Sequence, residues 1–225
     1  VAYLDLDNGP YGFDVDGEYA YVTCWTSGLA IVSLADPEAP TLDRMCATGG
    51  YSSDVCVRDG FAYVLETGIF NSWIRVVDIH DPTAPVLLEA YPVFGAGESV
   101  RPEGQYLLVT AVGNCLQVFE CGELGELVYC GGVGCNSVAF GAVWRGEYAY
   151  LAGGGQGGLG LGVVQMSDPR SPAWSHLDFN GTCNGVCAIG DYAYVANSGD
   201  HLAIVDISDP KAPFVDGYLW SGGDS

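Results

Sequence analysis

The chain has 225 residues, 28 of them acidic and 7 basic, for a formal net charge of −21. That sign repels phosphate and argues against nucleic acid and anionic membrane surfaces as partners. Hydrophobic residues at 49% supply enough apolar matter for a sizeable core, which excludes general disorder, and no run of about 18 apolar residues is present to span a bilayer as a helix.

In chain order, residues 1–10 read as a strand followed by the turn Gly9-Pro10-Tyr11. The chain starts at Val1 within that strand-like run, which implies an upstream segment removed or lying outside this sequence. A unit over residues 11–50 follows: a short strand a (Phe13-Asp14-Val15), a turn, strand b (Tyr19-Ala20-Tyr21-Val22), strand c (Leu29-Ala30-Ile31-Val32), then Asp36-Pro37 and Pro40 before strand d. The unit recurs over 51–95, 96–135, 136–183 and 184–225. Its strand b markers Ala20, Ala62, Leu107, Ala149 and Ala193 step by 42, 45, 42 and 44 residues. Asp-Pro recurs at Asp81-Pro82, Asp168-Pro169 and Asp209-Pro210, each with a second Pro three residues on. Proline fixes φ and ends the strand, and the Asp side chain can close the turn. The third copy has Glu120-Cys121-Gly122-Glu123-Leu124-Gly125 there instead, a decayed repeat.

Four short strands per roughly 43 residues, with no helical periodicity, are the size of one β-propeller blade. The expected fold is all-β: a propeller of about five four-stranded antiparallel blades in a single domain, possible as a segment of a larger one. Residues 1–10 would then be strand d of a preceding or closing blade, giving 21 strands where a closed ring of five needs 20. The strand c and turn residues, above all Leu202-Ala203-Ile204-Val205-Asp206-Ile207-Ser208-Asp209-Pro210, resemble the LVIVD repeat, as do Ile74 to Pro82. The resemblance implies a propeller of the kind found in bacterial and archaeal surface or secreted proteins, and it brings no catalytic residue with it.

The chemistry-bearing residues divide into a few groups. Thr67 to Trp73 and Gly153 to Gly160 both lengthen the b–c turn. Ile69, Phe70 and Trp73 would form an apolar rim patch suited to recognising protein or glycan, or to self-assembly. Asp5, Asp7, Asp14, Asp54 and Glu98 fall near d–a loops, where an acidic mouth could hold Ca²⁺ for a propeller hydrolase or lactonase. Asp5-Leu6-Asp7-Asn8-Gly9 resembles the start of a calcium loop but lacks the closing Glu. His80, His176 and His201 show no clustered spacing, the glycine run lacks the helix and Lys of a phosphate loop, and Asn180-Gly181-Thr182 is a glycosylation sequon. Nine cysteines without CxxC spacing argue against zinc ribbons and for some disulfides in an oxidising compartment. The expected pairs are Cys183–Cys187 and Cys130–Cys135, then Cys46–Cys56. With no catalytic cluster, the reading is a non-enzymatic extracellular or cell-surface binding module. The alternatives are the calcium-dependent hydrolase and a purely structural spacer.

Overall fold

A computed structural model describes residues 3–6, 8–68, 71–135, 137–154, 160–179, 181–199 and 201–219. Alternating apolar residues between turn-forming Gly, Asp and Pro produce strands only: no helix occurs among the described residues, so none is long and apolar enough to cross a membrane. The strands form five four-stranded sheets in which sequence order is spatial order. Blade 1 is β1 (Phe13–Asp16), β2 (Tyr19–Thr23), β3 (Leu29–Ser33) and β4 (Thr41–Cys46). Blade 2 is β5 (Ser52–Arg58), β6 (Phe61–Glu66), β7 (Asn71–Asp78) and β8 (Val86–Phe94). Blade 3 is β9 (Gly97–Glu103), β10 (Tyr106–Ala111), β11 (Leu116–Cys121) and β12 (Leu127–Val133). Blade 4 is β13 (Val138–Arg145), β14 (Tyr148–Gly154), β15 (Gly160–Gln165) and β16 (Ala173–Leu177), and blade 5 is β17 (Cys183–Ile189), β18 (Tyr192–Asn197), β19 (His201–Asp206) and β20 (Phe214–Leu219). The five marker residues all lie on the second strand of a blade. Of the expected strand at residues 1–10, the described residues 3–6 are irregular, although Leu4 and Leu6 still pack against the cluster of Cys24, Ala30 and Val32.

Residues condense into two compact units, 1–107 with 120–128, and 108–119 with 129–225. In each, the Tyr-Ala-Tyr pattern explains the packing. Successive side chains on a strand point to opposite faces. Tyr19 and Tyr21 of β2 therefore share one face, and they meet Ala62 and Val64 of β6 in the first unit's core. Tyr148 and Tyr150 of β14 meet Ala193 and Val195 of β18 in the second unit in the same way. A large ring on one blade lies over the small residue of the next, and close packing fills both faces of the sheets. Burial pushes the Tyr21 phenol up to about 12, with Asp16 adding to the effect.

Every Asp-Pro turn is built alike. The Oδ1 atoms of Asp36, Asp81, Asp168 and Asp209 each accept the N–H two residues on, at 3.0 Å, and their carbonyls accept the N–H three residues on. Blade 3 closes its turn from the other side: Glu126 Oε2 accepts the Leu124 N–H at 2.9 Å, and the Gly122 N–H donates to the Glu126 carbonyl at 2.8 Å. The same blade carries a disulfide, Cys115–Cys135, with Cα atoms 5.6 Å apart. It links the residue before β11 to the second residue past β12, whose strands run antiparallel.

That bond corrects the expected pairs. Cys135 bonds Cys115 rather than Cys130, which sits within β12 about 16 Å away along an extended chain at ~3.3 Å per residue. Cys183 and Cys187 do not flank a turn. Both lie on β17, about 13 Å apart by the same rise, and remain thiols. Cys46 packs with Val55 and Val57 on one face of β5, whereas the alternation turns Cys56 to the other face; both are thiols. Burial pushes Cys46, Cys56 and Cys183 up from the ordinary thiol range, which makes them inert packing groups.

Closing a loop of 20 residues restricts the unfolded chain by about 3 kcal/mol. A Cys115→Ser, Cys135→Ser double variant is expected to lose about that much stability in urea melts, and dithiothreitol should bring the parent protein to the same value. The turns supply a second expectation. The Thr83 hydroxyl and N–H hold the Asp81 carboxyl below its usual range, Ser208 does the same for Asp206, and His80 for Asp78. Carboxyls lowered in the folded state contribute stability that is complete above their unfolded pKa of about 4 and is lost as pH falls through the lower folded values. Melting temperature should therefore fall most steeply below about pH 4, and Asp81→Asn should flatten part of that fall.

Candidate functional site

The fourth position after each strand b marker is Cys24, Glu66, Ala111, Gly153 or Asn197. Four of the five are uncharged, so the blade does not require a charge there. Glu66 ends β6 directly opposite Trp73 of β7, and Arg75 lies two residues further along the same face. The Glu66 side chain is 5% exposed; Oε2 accepts from Arg75 Nε at 3.0 Å, and Oε1 is buried with no hydrogen-bond partner. A buried carboxylate oxygen without a donor costs free energy. Gly50 lies against this carboxyl: a Cβ there would come within 2.8 Å of its carbon.

Glu66, Arg75, Trp73, Tyr51 and Asn71 line a cleft of about 260 Å³. Tyr51 is held between two b–c loops, its carbonyl accepting the Thr67 N–H while the next residue, Ser52, bridges to Trp25. Its ring is backed by a sheaf of aromatics. Trp25 lies 5.0 Å from Tyr51 between centroids, and Tyr11 stacks on Trp25 at 4.9 Å. Trp25 has φ of +43°, a left-handed conformation that costs a bulky residue roughly 1–2 kcal/mol. Its loop is pinned by Asn8 Nδ2, which donates to Ser27 Oγ at 2.7 Å. Tyr51 and Trp73 remain 50% and 41% exposed, large rings set in place with little left to order on binding.

The LVIVD repeat matches residues 13–48, 49–93 and 180–218, more than half of the chain. The chain belongs to the LVIVD repeat family. The matched stretches cover blades 1, 2 and 5 and leave out blades 3 and 4. No curated protein matches the sequence. Among solved structures, a functionally unknown protein from Desulfotomaculum acetoxidans DSM 771 is 12% identical, with a TM-score of 0.78 over 96% of this chain and 71% of the other. A putative 6-phosphogluconolactonase from Bacteroides fragilis NCTC 9343 is 16% identical, at 0.70 over 95% and 71%. BamB from Moraxella catarrhalis is 14% identical, at 0.62 over 88% and 57%. The chain likewise spans 61% of the designed protein Ika8. At such identities the likeness is one of fold alone, and this LVIVD repeat chain is an all-β propeller of five four-stranded blades.

The acidic residues singled out in the sequence are not brought together. Asp14 Oδ2 accepts the Val57 N–H of blade 2 at 2.8 Å, and Asp54 Oδ2 accepts the Val100 N–H of blade 3 at 2.9 Å and Arg101 Nη1 at 2.7 Å. Each carboxylate takes the N–H one residue beyond its own equivalent in the next blade, so both are staples between blades of the LVIVD array. Burial raises the half-buried Glu98 carboxyl. Asp5 lies in the irregular segment before blade 1, and Asp7 lies outside the described residues. No group of three or more His, Cys, Asp or Glu among the described residues could hold a metal ion. Of the rim patch, Trp73 stands on β7 and borders the cleft, while Ile69 and Phe70 lie outside the described residues, as do Asn180 of the sequon and residues 155–159 of the glycine run. Sequence reading missed Glu66, Arg75 and Tyr51; comparing repeats at the fourth position after the marker would have found the first.

A buried carboxylate with a single partner is a poor stabiliser. Glu66→Gln is therefore expected to leave stability unchanged or raise it by up to about 1 kcal/mol, the pattern of a residue kept for binding. A loss above about 2 kcal/mol in chemical denaturation would identify Glu66 as a structural group instead.

Proposed function

We propose that this chain is a non-enzymatic module that binds neutral glycans outside the cytosol. The observation that carries the reading is the cleft lined by the Glu66–Arg75 pair and walled by two exposed aromatic rings, Tyr51 and Trp73. A sugar suits each of these groups. Its hydroxyls donate to the carboxylate and accept from the Arg75 guanidinium, and its apolar C–H face packs on Tyr51 or Trp73. The net charge of −21 disfavours glycans bearing carboxylate or sulfate. The Cys115–Cys135 disulfide supports an oxidising compartment.

Affinity electrophoresis through gels containing soluble neutral glucan, mannan or galactan tests the proposal. The protein should be retarded by at least one of these polymers and not by alginate, with or without chelator. Trp73→Ala and Glu66→Gln should each weaken the retardation at least tenfold while circular dichroism stays unchanged. Absence of retardation by every polymer, or equal retardation of both variants, would return the chain to a spacer role.

A further inference from the structure

The decayed turn of blade 3 forms a second site of different chemistry. Between β7, β8 and the turn joining β11 to β12 lies a groove of about 340 Å³, with Val76, Leu88, Tyr91 and Leu124 as its apolar lining and Glu89 and Glu126 as its charged groups. Leu124, where other blades have their Asp-Pro turn, is 78% exposed. Gly125 allows the approach: its φ is +84°, and a Cβ would fall 2.7 Å from the Phe61 ring. Glu126 accepts the Leu124 N–H and Glu89 accepts from the Tyr91 hydroxyl, and neither is ion-paired among the described residues.

Equivalent grooves elsewhere contain a cation of their own. The c–d ladders of blades 1 and 2 share one bulge, with Leu42 opposite Val32 and Leu87 opposite Val77. Counting two residues on places Glu89 where blade 1 has Arg44. Arg44 Nε donates to the Thr83 carbonyl, in the Asp-Pro turn of blade 2, at 2.6 Å. The groove of blade 4 is lined by Lys211 from the Asp-Pro turn of blade 5. In the groove between β8 and the blade 3 turn, the cation is replaced by a carboxylate and the turn adds another. The fold itself thus shows what fits such a groove, a guanidinium reaching over the c–d sheet to the neighbouring turn.

We infer that this groove takes an arginine side chain, flanked by apolar residues, from a partner polypeptide. The guanidinium bridges Glu89 and Glu126, and the neighbouring apolar side chain packs on Leu88 and Leu124. A lysine presents a single more strongly hydrated point charge and fits less well. The charge of −21 accelerates approach of a basic segment and opposes occupation by a second copy of this chain.

Fluorescence anisotropy with dye-labelled acetyl-Leu-Arg-Leu-amide, and the same peptide with citrulline or lysine for arginine, tests this. The arginine peptide should bind with an affinity that falls with salt, the lysine peptide more weakly, and the citrulline peptide at least tenfold more weakly. Glu89→Arg, which restores the blade 1 residue, should weaken binding at least tenfold without lowering the melting temperature. Leu124→Ala should weaken it while leaving the salt dependence in place. Equal binding of arginine and citrulline peptides, or undiminished binding by Glu89→Arg, would overturn the assignment. So would concentration-dependent dimerisation abolished by Glu89→Arg, which would make a second copy the occupant. Polysaccharide retardation is read on the same variants and should not change, since Glu89 and Leu124 lie outside the glycan cleft.

Discussion

Tyr21 over Ala62 and Val64, and Tyr150 over Ala193 and Val195, are the contacts on which each compact unit depends. A four-stranded sheet has two apolar faces and cannot bury both alone, so each blade must be covered by a neighbour. Putting the bulk on one face and the small residues on the other lets a single strand sequence serve as both knob and socket. Leu4 and Leu6 pack on the cluster of Cys24, Ala30 and Val32 without forming a strand: they supply apolar contact rather than a ladder.

This constraint governs what may vary. Residues inside the stack, such as Tyr63 and Val64, are fixed by volume. The ends of strands and the turns between c and d lie outside it. A charge at Glu66 or a lost Asp-Pro at Gly122 to Glu126 is tolerated there as long as the backbone groups stay satisfied. The third turn meets that condition by turning Glu126 back onto Leu124, and the disulfide secures the opposite end of the same strand pair. Both proposed binding regions lie at such ends.

The blade pattern was legible because its signals are local. Period-two alternation places Ala20 or Ala193 on a strand whatever surrounds it, and Asp before Pro closes a turn from its own side chain. What depended on a neighbouring strand or blade was not legible. Asp14 and Asp54 are acidic residues on strand a, and nothing nearby in sequence reveals that their partners are the amides of Val57 and Val100. Cys115 and Cys135 stand twenty residues apart and meet only because β11 and β12 run antiparallel, which brings the residue before one strand to the segment just past the other. Cys183 opens the first strand of blade 5 rather than lying in the turn before it, because β16 already ends at Leu177 and β17 begins at Cys183. Glu66 resembles any polar residue at a strand end until its four counterparts are set beside it.

The aspartate staples have a direction. Asp14 precedes the amide it holds by 43 residues and Asp54 by 46, so in both cases the carboxylate belongs to the earlier blade. During synthesis on the ribosome the acceptor emerges first and the donor arrives with the following blade. The carboxylate of blade 1 thus precedes its amide in blade 2, and that of blade 2 precedes its amide in the first strand of blade 3. In that part of the molecule each staple can close only once the first strand of the following blade has been made.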